Sequence, residues 1–218
     1  LQSQIRPHFI YNTLNTIKWM ATVQQAPGIS EIVVALSHLL KNVSKGTQTI
    51  IPIRDELALL EDYFTIQKYK YGGSITLAYE LEDEAIKDNV ILRFTLQPLV
   101  ENAILHGIEP TGKQGSIRIS MEYAAEDDIL ISITDNGMGM DENTIRKVMS
   151  ERGKNRSQTF RDMGILSVNK QIQYVFGEKY GISIDSVVNQ YTTIQIRLPK
   201  ISHAEYEGKE NEIIDRRG

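Results

Sequence analysis

The sequence predicts an α+β fold, on three observations: helical spacing of apolar residues through the first seventy or so positions, a change to alternation after Gly73, and strands interspersed with helices from there to Pro199. The helices come first. Ile10, Leu14, Ile17 and Ala21 recur at helical spacing in a run from Leu1 to about Ala26, where Pro27 and Gly28 end it. Ser30 opens a second run, with Glu31 in its first turn and Ile32, Leu36, Leu39 and Val43 repeating at three and four until Gly46. A third run follows Pro52 and places Leu57, Leu60, Phe64 and Tyr71 on one face, closed by Gly72 and Gly73. Beyond that boundary Ile75, Leu77, Tyr79 and Leu81 read as one face of a strand. A helix over 96–106 comes next, then a hairpin that sets Ile117, Ile119, Met121 and Tyr123 beside Ile129, Ile131 and Ile133. A short helix after Asp141, a charged loop over 152–161, a helix over 164–176 and two closing strands complete the layout. The chain therefore divides into a helical module (1–73), an α/β part (74–199) and a polar tail (200–218) whose weak periodicity predicts flexibility.

Composition narrows the function. The 218 residues are 41% apolar and carry a formal charge of −4, with Lys and Arg scattered singly, so no basic stripe argues for a nucleic-acid partner. The absence of cysteine excludes disulfides and thiolate metal sites and fits a reducing, cytoplasmic setting. No run approaches the roughly 18 apolar residues of a membrane span. The chain begins at Leu1, already in helical register, and reads as a piece of a longer protein.

Three constellations carry chemistry. Gln4, His8, Asn12 and Asn15 fall on one side of the first helix, away from Ile10, Leu14 and Ile17, so the imidazole heads a polar stripe, and Pro7 bends or loosens the turn before it. With an ordinary pKa of about 6.5, an exposed imidazole is a competent nucleophile near neutral pH, although a helical histidine alone is more often a surface residue. Asp135, Asn136, Gly137, Met138, Gly139 and Met140 follow a strand: the carboxylate can accept from an exocyclic amine such as that of adenine, and the glycines let backbone approach a ligand. An ordinary strand-to-helix turn has the same composition. Glu101 and Asn102 stand in an otherwise apolar helix, where the Asn102 oxygen suits Mg²⁺ shared with nucleotide phosphates, or a neighbouring backbone group.

Taken together and in this order, the Pro7, His8, Phe9, Asn12, Leu14 and Asn15 segment, the Asn102 segment and the Asp135 glycine box resemble the LytS/YesM-type sensor histidine kinases over roughly residues 1–199. The resemblance implies a helical dimerisation and phosphoacceptor module followed by an α/β sandwich ATP-binding domain of the GHKL type. It implies that ATP phosphorylates His8, that an aspartate on a cognate response regulator then receives the phosphoryl group, and that ATP and Mg²⁺ are the cofactors. Asn102 would hold Mg²⁺, Asp135 would read adenine, and Gly137 and Gly139 would shape the pocket floor. Gly164 and Thr192 would lie near the nucleotide, His106 would either touch it or complement the C-terminal end of its own helix, and Asn12, one turn after His8, would orient the imidazole. The 152–161 loop would be a lid offering Lys154 and Arg156 to the phosphates. A homodimer would form through the helices of residues 1–45 as a four-helix bundle, and any membrane attachment would lie upstream of Leu1.

Departures from that pattern are visible too. The second glycine box reads Asp162, Met163, Gly164, Ile165, Leu166, Ser167, with one glycine of two and serine in place of asparagine, and Tyr191 stands where glycine usually precedes Thr192. Weaker phosphate contacts near Gly164 are the expected consequence. They leave open an alternative, a catalytically weakened or inactive scaffold that relays conformation through the dimer.

Overall fold

The computed structural model describes residues 7–44, 49–124, 127–150 and 164–208. Helices α1 (Pro7–Val23) and α2 (Pro27–Ser44) form a hairpin, and α2 packs on α3 (Ile53–Lys70). The first helix ends at Val23, ahead of Pro27 as expected, but the second starts at Pro27 rather than Ser30, because a residue without an N–H loses no helical bond in the first turn. The bend expected at Pro7 falls at the edge of the described residues. Leu14 and Ala21 of α1 and Val33 and Ala35 of α2 are buried, whereas Phe9, Ile17, Met20, Val23, Ile29 and Leu36 remain exposed.

After α3 the chain runs through β2 (Ile75–Leu81), β4 (Gly115–Ala124), β5 (Asp128–Asp135), β6 (Gly181–Val187) and β7 (Tyr191–Pro199). These form one sheet in the order β2-β4-β5-β7-β6, antiparallel except for the β2–β4 pair. Alternation then does its expected work: Ile117, Ile119, Met121, Ile129, Ile131, Ile133, Ile194, Ile196 and Leu198 are buried on one face, beneath α4 (Leu96–Asn102) and α6 (Gly164–Phe176). The opposite face carries exposed Arg118, Glu122 and Arg197. This is a two-layer α/β sandwich.

Two three-residue strands, β1 (Ile50–Pro52) and β3 (Val90–Leu92), pair antiparallel just ahead of α3 and α4. They are too short to show periodicity and escape the sequence reading. Helix α3, grouped on sequence with the helical module, contributes Ile53, Leu57, Leu60 and Tyr63 to the same core as the sheet. The tail expected from residue 200 is in part ordered: Lys200 N–H donates to Asp127 O, Ile201 O accepts the Val90 N–H, and 203–208 is helical. Residues 209–218 lie outside the described residues.

The helix expected over 96–106 changes character midway. It is α-helical to Asn102 and a π-helix over Ala103–Ile108, a wider turn common at functional sites. There the Gly107 carbonyl accepts the Met138 N–H at 2.8 Å, which joins this helix to the Asp135 glycine box.

Candidate functional site

A cleft of ≈ 440 Å³ opens where the π-helix, the end of β5, helix α5 (Glu142–Val148) and the start of α6 converge. Asn102, His106, Asp135, Asp141, Thr144 and Thr192 supply its polar side chains; residues such as Met138, Ile165, Val188 and Ile194 supply an apolar wall. Asp135 ends β5 directly opposite Thr192 of β7. Only 3% exposed, its carboxylate accepts the Gly137 N–H on Oδ1 at 2.9 Å, and burial pushes it up to about 6. Such a carboxylate is well suited to accept from a ligand amine, because the cleft offers it little water in competition.

The loop after Asp135 is shaped by backbone contact. A Cβ on Gly137 would lie 2.2 Å from the Gly107 carbonyl carbon, and one on Gly139, at φ +65, would lie 2.1 Å from Val187 O. Gly107 in turn passes so close to Asp135 that a Cβ there would sit 2.6 Å from Oδ1. Ser186 Oγ donates to Tyr191 O at 2.7 Å and accepts the Met140 N–H at 2.8 Å. Since its proton is used, the Thr192 hydroxyl, 3.1 Å away, is the donor in their contact and keeps its lone pairs for the cleft.

These contacts give a prediction about stability. Gly137→Ala is expected to cost about 2 to 3 kcal/mol through overpacking, whereas Gly112→Ala, at φ +62 with open space around it, should cost only about 1 kcal/mol. Thermal melts of both variants check this; equal melting temperatures would show that the Gly137–Gly107 approach is not tight.

Asn102 Nδ2 donates to Pro98 O at 2.7 Å, which leaves the side-chain oxygen for a cation. The start of α6 crosses over it: a Cβ on Gly164 would sit 2.6 Å from Asn102 Nδ2. An asparagine does stand two positions beyond Ser167, turned to β6 and not among the residues that line the cleft. Asn169 is buried and accepts the Ile182 N–H at 2.7 Å, so it fastens α6 to β6. Asn102, His106, Asp135, Gly139 and Thr192 are thus brought to one cleft, with Gly137 and Gly164 packed at its edge. The 152–161 loop with Lys154 and Arg156, and Asp162, lie outside the described residues.

His8 is elsewhere. It is exposed on α1, with Nδ1 3.2 Å from Asn12 Nδ2, and none of the described residues of α1 lines the cleft. The sequence reading missed Gly107 and the apolar wall. Ile165 and Ile194 carry the periodicity of core residues, and nothing in the sequence separates a cleft wall from a core.

A larger groove of ≈ 580 Å³ lies between α1, α2 and α3, but its acidic residues are engaged: Glu31 accepts from Tyr69, and Asp62 pairs with His38.

Comparison with known proteins gives the family. Residues 1–75 match the histidine kinase family, and residues 87–202 match the family of histidine kinase-, DNA gyrase B-, and HSP90-like ATPases. The chain is 35% identical over 199 residues to the sensor histidine kinase YesM of Bacillus subtilis (strain 168), covering 91% of this chain and 32% of YesM. It spans about a third of the length of the curated relatives it matches. Among solved structures, full-length ShkA in complex with AMPPNP superposes with a TM-score of 0.53 at 14% identity, covering 90% of this chain and 45% of that one. Histidine kinase ThkA in complex with the response regulator TrrA gives 0.50 at 17%, covering 90% and 58%. At these identities the two structures show the fold alone.

Proposed function

The chain belongs to the YesM/LytS-type sensor histidine kinases, and from that premise we propose that it takes the γ-phosphoryl group of ATP onto His8 and passes it to an aspartate of a cognate response regulator. The observation that carries this reading is the convergence of Asn102, Asp135, Gly139 and Thr192 on one cleft, in a chain that also exposes His8 on a polar helix face. The buried Asp135 carboxylate suits the adenine amine, the apolar wall suits the base, and the free Asn102 oxygen suits a hard cation shared with the phosphates. Mg²⁺, when bound, would neutralise charge on the phosphates.

In the proposed step the lone pair of one His8 ring nitrogen forms the P–N bond as the bond from phosphorus to the ADP oxygen breaks and ADP leaves. An imidazole attacks through an unprotonated nitrogen, so the attacking atom needs no general base, and Phe9 can stand where an acidic neighbour is usual. Asn12 lies against Nδ1, which leaves Nε2 as the attacking atom. After a half turn of its amide, Asn12 accepts the Nδ1–H and holds the tautomer with the Nε2 lone pair free. Because α1 does not reach the cleft, the nucleotide domain or α1 must move for transfer, or the two must come from different chains.

The exposed Phe9, Ile17, Met20, Val23, Ile29 and Leu36 are proposed to be covered by a second copy in a four-helix bundle. ShkA is solved with AMPPNP and ThkA with a response regulator, and the same kind of nucleotide and of partner are proposed here. No helix among the described residues is long and apolar enough to cross a membrane; the chain is proposed to work on the cytoplasmic side, where ATP is present, attached through a segment upstream.

The test is incubation with γ-labelled ATP and Mg²⁺, scoring acid-labile, alkali-stable label on the protein. A dimer that binds ATP and takes up no such label would sink the proposal.

A further inference from the structure

Glu56 places a carboxylate where α3 should present a core side chain. It is 1% exposed, one position from buried Leu57 and one turn from buried Leu60. Its Oε2 accepts the Phe94 N–H and its Oε1 the Leu96 N–H, each at 2.8 Å. Those amides flank Thr95, the residue that opens α4, and α4 ends at Asn102. Thr95 makes no side-chain cap bond, and its buried hydroxyl has no hydrogen-bond partner. One orphan N–H of the first turn of α4, that of Leu96, is therefore met from a different helix, together with the Phe94 N–H just ahead of the cap.

The segment entering α4 is strained and tied twice. Phe94 sits at φ +60, a left-handed conformation that a bulky residue keeps only when its surroundings enforce it. Arg93 N–H donates to Thr49 O at 2.9 Å, and its guanidinium donates to Asn42 O at 3.1 Å, in the last turn of α2. Residues 93–96 are thus gripped by α3 through Glu56 and by α2 through Arg93. Burial pushes the Glu56 carboxyl up to about 7, against the backbone groups of Leu96, Phe94 and Thr95 and nearby Arg93, which favour its ionised form.

We propose that Glu56 is a positioning residue for the metal end of the nucleotide site: its carboxylate fixes the start of α4, and with it Asn102, while Arg93 ties the same segment to the phosphoacceptor hairpin. The inference rests on the reading of Asn102 as the Mg²⁺ residue. Glutamine at 56 fills the same volume, but one of its two polar atoms is an NH₂, which must face a backbone N–H and turns one of the two bonds into a repulsion.

The experiment is calorimetry of AMPPNP binding, with Mg²⁺ and with EDTA, on wild type, Glu56→Gln and Leu60→Val, alongside thermal melts. Leu60→Val lowers stability from the same helix and serves as the structural control. The expected result is that Glu56→Gln loses about tenfold of the Mg²⁺-dependent gain in affinity while its affinity in EDTA changes by less than about twofold, and Leu60→Val keeps the gain. A wild type that shows the gain beside a Glu56→Gln that keeps it overturns the inference alone. A wild type without any gain overturns the reading of Asn102 and, with it, the inference. Amide exchange on the wild type tests the clamp without a substitution: Phe94 and Leu96 should be protected as core amides are, and exchange as fast as that of the Gly72–Gly73 turn overturns the clamp.

Discussion

Replacing His8 by alanine is expected to lower transfer of the γ-phosphoryl group onto the chain by a factor on the order of 10³ or more, because the substitution removes the attacking nitrogen itself. Nucleotide binding should be unchanged. His8 is exposed on α1, lines no part of the cleft, and has Asn12 as its side-chain partner, so its loss should move stability by no more than about 0.5 kcal/mol. Labelled ATP and calorimetry on the same preparations separate the two quantities. Label that persists at the wild-type level would transfer the acceptor role to another residue. Of the other histidines, His38 is paired with Asp62 on the α2–α3 side and His203 with Glu207, whereas His106 lines the cleft and would be the next position to replace.

What the sequence reveals of this fold follows from length and periodicity. Ile117, Ile119 and Met121 alternate over enough residues to give β4 its buried face, and Leu57 and Leu60 do the same for α3 at helical spacing. The strands β1 and β3 have three residues each, and β1 includes Pro52, so no alternation can announce them. Yet Ile51 of β1 and Ile91 and Leu92 of β3 share one buried core with α3 and the sheet. The site shows the same division. Asp135 and Gly139 stand out only beside the Asn102 and His8 segments, because an ordinary turn at a strand end uses the same carboxylate and glycines. Glu56 does not stand out at all, because a carboxylate in a helix's first turn is the commonest of charge patterns, and only tertiary structure shows that it faces the Phe94 and Leu96 amides across the domain.

Asp135→Asn is expected to weaken nucleotide binding and to stabilise the nucleotide-free fold at once. Burial raises the Asp135 carboxyl from its ordinary value to about 6, so the folded chain binds a proton that the unfolded chain has released over that interval. Stability contributed by the protonated form is present below about pH 4 and is lost as pH rises through about 6. At pH 7 the ionised carboxylate therefore costs on the order of 2 to 3 kcal/mol. Asparagine removes the charge and keeps the shape, and even with a weaker contact to Gly137 N–H it should raise the melting temperature by a few degrees at pH 7, but not at pH 4. Binding should move the opposite way. Losing a buried charged acceptor to the ligand amine costs roughly 1.5 to 3 kcal/mol, or about ten- to a hundredfold in affinity. The wild type should also lose affinity as pH falls through 6, where Asp135 takes up its proton, and the variant should not. Glu56, raised to about 7, titrates in both proteins, so the difference between the two pH profiles isolates Asp135. A variant that melted higher at pH 7 yet bound nucleotide as the wild type does would leave Asp135 as a buried charge without a ligand to justify it; the stability it gives up at neutral pH makes sense only if the carboxylate is kept ionised for something that enters the cleft.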